Sequence, residues 1–249
     1  MKRSIKAVIA ALTMFIVPAI VFASAVTDQL DTLHDEKTLD NYKQAMQICE
    51  QALKDNPGDF DVTWRCARSY RWYGELSKRE GKDGWKDVCA EYGKKGMGYA
   101  QKAIDLQPEK PNGYYWYGLN VGIYSDGVSI LTALKEGLKD KTQNSFEKTY
   151  QLDKMHEKAG SILALGRFWY VLPWPLNDKE KAENYYREYQ KTQYFGVANE
   201  DGPIYLGELL IDLGGDKNEA EAKMLLENAA KSDTKYFKDK ALTLLKELD

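Results

Sequence analysis

Small and apolar positions recur along this chain at spacings of four and three. Over residues 94–124, KKGMGYAQKAIDLQPEKPNGYYWYGLNVGIY, they fall at Gly96, Ala100 and Ala103, with Pro108 after them. The helical period puts the three small residues on one face, and proline cannot continue a helix. The stretch therefore predicts a helix ending at Gln107-Pro108, a link through Pro111-Asn112-Gly113, and a second helix carrying Tyr114, Tyr117-Gly118 and Val121. Small residues so spaced let two helices approach closely, with Tyr and Trp filling the space around the contact.

The same spacing appears upstream as Ala45, Cys49, Ala52, Pro57, in a helix predicted over 40–56 behind a polar, helix-compatible lead-in from Val26 to Asp40. It returns as Thr142, Phe146, Thr149, Lys154, then as Ala182, Tyr186, Tyr189, Tyr194, and as Ala222, Leu226, Ala229, Thr234. The intervals are 51, 46, 40 and 40 residues. A partner helix follows four of the five, centred on Cys66-Ala67, Tyr117-Gly118, Leu165-Gly166 and Leu206-Gly207. An apolar residue beside Ala or Gly marks the close contact each time. The pattern predicts antiparallel helix pairs that bury their apolar faces by stacking. Polar insertions are expected over 74–92, with a turn at 78–84, and over 125–141. Residues 235–249, with Phe237, Ala241, Leu244, Leu245 and Leu248, read as a C-terminal capping helix.

This template resembles the tetratricopeptide repeat, whose usual period is about 34 residues. The order YYWYGLNVG, VSILTALKE, FEKTYQLDK and LALGRFWYVLPWPLNDKEKAENYY is similar to the exported repeat proteins called the T component of TRAP transporters, over roughly Gln44 to Lys231. More distantly it resembles the repeat domain of regulator of microtubule dynamics proteins. The resemblance implies an all-α, right-handed tetratricopeptide-like solenoid with a capping helix. It also implies a periplasmic partner, the substrate-binding subunit of a transporter for organic acids or other small solutes. No Cys follows the N-terminal apolar run closely, so the sequence lacks a lipid-attachment site there.

Composition adds a compartment. Lys2, Arg3 and Lys6 precede an apolar run over 7–22, and Ala23-Ser24-Ala25 supplies a small-x-small processing site. This predicts an export signal over 1–25, cleaved after Ala25, and one repeat domain over 26–249. The mature protein is then periplasmic with no membrane anchor, and loss of three positive charges takes its net charge from −3 to −6. That balance argues against nucleic acid as a partner. Of the three cysteines, Cys49 sits on an apolar face and reads as a free buried thiol, while a Cys66–Cys89 disulfide suits an oxidising compartment. The chain has two histidines and no nucleophile, phosphate-loop or metal signature. The reading is non-catalytic, with no cofactor and no metal.

The arginines carry the functional signal. Only 7 of the 35 basic residues are Arg, yet Arg65, Arg68, Arg71 and Arg79 cluster, and Arg167 lies in LGRFWY. In a stacked repeat, residues at fixed offsets from the Ala or Gly contact face the concave groove. These are Trp64, Arg68, Arg71 and Trp72, then Tyr115, then Arg167 and Tyr170. Arg suits bidentate contact with carboxylate, and aromatic faces suit the rest of a ligand. The plainer alternative pairs these arginines with Glu75, Glu91, Asp61 or Glu208 inside the protein. Trp174, between Pro173 and Pro175, is held in a defined direction as a loop contact or as a staple between helix pairs. The sequence thus points to an exported adaptor binding a small organic anion or a protein partner, such as a solute-binding subunit. A homo-oligomer is compatible with it. The alternative is a periplasmic scaffold for envelope assembly with no small ligand.

Overall fold

The computed structural model describes residues 25–197 and 200–248; the leader predicted over 1–25 lies outside them except for Ala25, which is helical. The described residues form twelve helices and no β-strand: α1 (25–35), α2 (Leu39–Asp55), α3 (Phe60–Arg79), α4 (Trp85–Leu106), α5 (Pro111–Gly127), α6 (Ile130–Lys135), α7 (Leu138–Leu152), α8 (His156–Val171), α9 (Lys179–Gln190), α10 (Asp201–Leu213), α11 (Asp216–Ala229) and α12 (Lys235–Leu245). The five template helices are α2, α4, α7, α9 and α11; the four partners are α3, α5, α8 and α10.

Local chemistry sets the boundaries. Thr38, Asp59 and Asp178 are N-caps whose side-chain oxygens accept from the backbone N–H groups of Asn41, Val62 and Lys181 at 3.2, 3.0 and 2.9 Å. Each such cap contributes about 1 kcal/mol. The helices α2 and α4 stop just before Pro57 and Pro108. The left-handed residues before α4 and α7 are Gly84 and Gly137, at φ 71° and 64°. The insertion expected over 74–92 is mostly absorbed into longer helices, since α3 runs to Arg79 and α4 starts at Trp85. The second insertion contains the short helix α6. Glu157, Lys158 and Ala159 open α8 in a left-handed turn, at φ 48°, 59° and 59°.

The chain divides into two compact units. One holds the described residues up to Pro108 with Leu119–Ser129; the other holds Glu109–Gly118 and the described residues from Ile130 onward. In the first, Leu30 and Leu33 of α1 join Met46, Leu53, Val62 and Tyr70 in the core. Gly93 and Gly96 of α4 admit the α5 backbone at Tyr124 and the Asn120 side chain, which donates to the Ala67 carbonyl at 3.0 Å. In the second, one rule joins successive repeats. The glycine of a partner helix receives a side chain from the next template helix: Gly118 takes Phe146, Gly166 takes Tyr186, and Gly207 takes Leu226. The capping helix closes the last face through Phe237, Ala241 and Leu244 on Ile204 and Leu226.

The cysteine pairing corrects the sequence expectation. The disulfide joins Cys49 to Cys66, whose Cα atoms are 5.6 Å apart, within normal bridging range. Cys49 holds the second template position of α2 and Cys66 lies beside the Ala67 contact of α3, so the close approach of the two helices brings them together. Cys89 is free and buried. It faces Gly74, about two turns beyond Cys66 on α3, and its Sγ donates to the Gly74 carbonyl at 3.5 Å. Burial, reinforced by Asp126, pushes its thiol pKa up to about 11.

Candidate functional site

The helical offset of three to four residues sends Arg65, Arg68 and Arg71 along one side of α3, towards α1. Asp31 of α1 receives Arg65 bidentately, Nε and Nη2 donating to its two carboxylate oxygens at 2.9 Å each. Arg68 Nη2 donates to the same carboxylate at 2.6 Å and to the Leu30 carbonyl at 3.3 Å. Trp64 is buried beneath them, its ring centre 4.1 Å from the Arg65 guanidinium and 5.2 Å from that of Arg68. Burial alone would raise the Asp31 pKa, but hydrogen bonds from Arg65 and Arg68 outweigh it and hold the carboxyl below its usual range.

One helical turn on, the chemistry is less complete. The Arg71 guanidinium lies 4.1 Å over the Trp72 ring, and its Nη2 is 3.6 Å from Glu75. Glu75 is committed to Arg79, whose Nε donates to it at 2.5 Å. Burial opposes the charge on Glu75, yet Arg71 and Arg79 hold its pKa down to about 2. The Trp72 ring is 5.9 Å from His34 of α1 and 6.3 Å from Tyr42 of α2. Burial, and then the charge of Arg68, press the His34 pKa down to about 3, so the imidazole stays neutral. Four polar atoms in this cluster are buried without a hydrogen-bond partner: Arg71 Nε, Arg71 Nη1, Trp72 Nε1 and His34 Nδ1. Three of them are fixed donors. Among the described residues no acceptor meets these donors.

Four of the seven predicted groove residues, Trp64, Arg68, Arg71 and Trp72, thus share α3 in the first unit. Their chemistry is divided: Arg68 donates to α1 and Trp64 Nε1 to Asp61 of its own helix at 3.3 Å, while Arg71 and Trp72 keep open donors. Arg167 and Tyr170 share α8 in the second unit. There Arg167 Nη1 donates to Glu208 at 2.7 Å and lies 4.5 Å over Tyr205 and 5.5 Å from Tyr170. The internal pairing weighed from sequence is what the structure gives Arg167. Tyr115 meets Trp116, Phe146 and His156 edge-on, and its hydroxyl fills the space over Gly160. Trp174 is 87% exposed in its loop. Sequence reasoning missed Asp31, His34 and Tyr42. The signal available was Asp31 and His34 one turn apart, interleaved with Leu30 and Leu33. Among the described residues no cluster of His, Cys, Asp or Glu is arranged to hold a metal ion.

The family model described as "Regulator of microtubule dynamics protein 1-3" matches residues 26–174, from α1 through the loop after α8. The chain belongs to the regulator of microtubule dynamics protein 1-3 family. This match agrees with the more distant of the two resemblances read from sequence. No curated protein matches this family member. Its fold is similar to that of TTC0263, a thermophilic TPR protein of Thermus thermophilus, at TM-score 0.62 and 15% identity, covering 88% of this chain and 98% of that one. Weaker likenesses are to the MamA protein (TM-score 0.46, 13% identity, 90% and 92% covered) and to yeast Tom70 (0.43, 16%, 84% and 44%). This family member is an all-α, TPR-like helical repeat, an architecture that generally presents binding surfaces for other proteins.

Proposed function

We propose that this protein is an exported, non-catalytic adaptor whose α1–α3 face binds a carboxylate, borne by a small organic anion or by a protein partner. The observation that carries the reading is the set of buried donors on Arg71 and Trp72 with no acceptor. A ligand carboxylate would accept from Arg71 in the bidentate geometry that Asp31 already shows with Arg65. Neutral His34 and Tyr42 frame the site without adding charge. Export is supported by the pattern over 1–25 and by the Cys49–Cys66 disulfide, which suits an oxidising compartment. An accessory role beside the solute-binding subunit of a TRAP-type transporter is the finer placing, supported by the LGRFWY…LPWPLNDKEKA resemblance.

The test is ligand-dependent stabilisation of the full chain purified from a bacterial periplasm. A carboxylate that binds the native state raises the melting temperature as its concentration rises. The reading predicts such a ligand within a panel of organic acids and C-terminal peptides, and loss of the shift in Arg71→Gln. Unchanged melting across the panel, or a shift that survives the substitution, contradicts it. N-terminal sequencing should begin at Val26. A second reading, an envelope-assembly scaffold, is favoured by exposed Trp174 with Val171 and Leu176 exposed beside it. Trp174→Ala should then release a co-purifying protein without altering stability.

A further inference from the structure

The first unit contains a second recessed place, away from the arginines. It is a shallow depression of about 340 Å³, largely open to solvent and lined by Glu50, Tyr70, Lys95, Gly98, Tyr99 and Lys102. It is bordered by half-buried Tyr99 and by Tyr70, which is itself largely buried, their rings stacked with centres 5.5 Å apart. One oxygen of Glu50 accepts from the Tyr70 hydroxyl and, at 3.5 Å, from that of Tyr99. The other oxygen has no partner, and Glu50 has no ion pair among the described residues. Lys95 is neutralised by Glu91 at 2.6 Å and lies 5.4 Å from the Tyr92 ring centre. Lys102 has no ion pair among the described residues. The depression therefore holds one uncompensated carboxylate, one uncompensated ammonium, and an aromatic surface.

Gly98 separates this place from ordinary helix packing. Gly93 and Gly96 on the same helix are needed because a Cβ there would strike Tyr124 or Asn120. A Cβ at Gly98 would meet nothing within 4 Å. Glycine in a helix interior lowers stability relative to any side chain with better propensity. Packing does not explain Gly98, which is exposed and lies among the residues that line this place.

We infer that this depression binds a small zwitterion of the α-amino-acid type, its ammonium on Glu50, its carboxylate on Lys102, and its apolar body over Tyr70 and Tyr99. A free cation would leave Lys102 unanswered and a free anion would leave Glu50 unanswered. The tyrosine faces favour the cationic end. The site is independent of the carboxylate site at Arg71, and neither proposal depends on the other.

The experiment is NMR or calorimetric titration of the full chain with leucine and phenylalanine, with their amides, which are cations, and with their N-acetyl derivatives, which are anions. The zwitterions should bind, and each singly charged derivative should bind roughly tenfold more weakly for the lost charge-assisted contact. Gly98→Leu should abolish binding by placing a bulky side chain on the lining. It should also melt no lower than wild type, so a failure to fold cannot account for the loss. Glu50→Gln should weaken the zwitterions and the amides but not the N-acetyl derivatives. Absence of zwitterion binding, equal binding of all three classes, or binding that survives Gly98→Leu overturns the inference.

Discussion

Residue by residue, the charges around α3 make stability depend on acid in two stages. The His34 pKa is depressed to about 3, from about 6.5 in the unfolded chain. Its contribution is complete above pH 6.5 and is lost as pH falls towards 3, at up to about 1.4 kcal/mol per pH unit. Half-buried His156, its pKa also lowered by desolvation, acts in the same direction. Glu75, depressed to about 2, contributes above its unfolded value near 4.5 and loses that contribution between pH 4.5 and 2. The Glu75 share is on the order of 3 kcal/mol. Denaturant unfolding should therefore show stability declining below pH 6.5 and more steeply below pH 4.5. His34→Asn should reduce the upper stage to the His156 share and leave the lower one. Glu75→Gln strands Arg71 and Arg79 in a buried setting and should lose about 3–5 kcal/mol at neutral pH. A loss below about 1 kcal/mol would show that those arginines reach solvent or another partner.

At the scale of the helix and its neighbour, the glycine seats decide how close the repeats come. A Cβ at Gly166 would lie 2.5 Å from the Tyr186 ring, so Gly166→Ala should destabilise by about 1–3 kcal/mol through overpacking. Gly98→Ala, with open space, should instead stabilise by up to about 1 kcal/mol. Thermal melts of the two variants side by side would check both signs. The Cys49–Cys66 bridge closes a loop of 17 residues separation and should contribute about 3 kcal/mol. Cys49→Ser/Cys66→Ser should lower the melting temperature by roughly 10 °C. Mass spectrometry without reductant should find Cys49 joined to Cys66, with Cys89 alkylated only after unfolding. Much at this scale was legible from spacing. Pro108, Gly166 and Gly207 state where helices stop and where they touch, because period and residue volume are local properties. The disulfide partner was not, because three cysteines on three neighbouring helices differ only in which seats face each other. The left-handed turn at Glu157–Ala159 was also hidden, since no glycine marks it.

For the whole molecule, the repeat pattern carried the architecture and left recognition to individual side chains. Trp64, Arg68, Arg71 and Trp72 could be grouped because they share one helix. That Arg68 is engaged while Arg71 keeps open donors depends on Asp31 and His34 of α1, a segment whose polar sequence suggested only a lead-in. Arg167, grouped with them by repeat register, is answered by Glu208 on the neighbouring helix α10. An adaptor of this kind acts by what it holds, so the most direct measurement is native mass spectrometry of the protein purified from its own cells, wild type beside Arg71→Gln. The account predicts a carboxylate-bearing small molecule or protein on the wild type, absent from the variant, with both chains folded. A wild type that carries nothing, or a passenger retained by the variant, would contradict it.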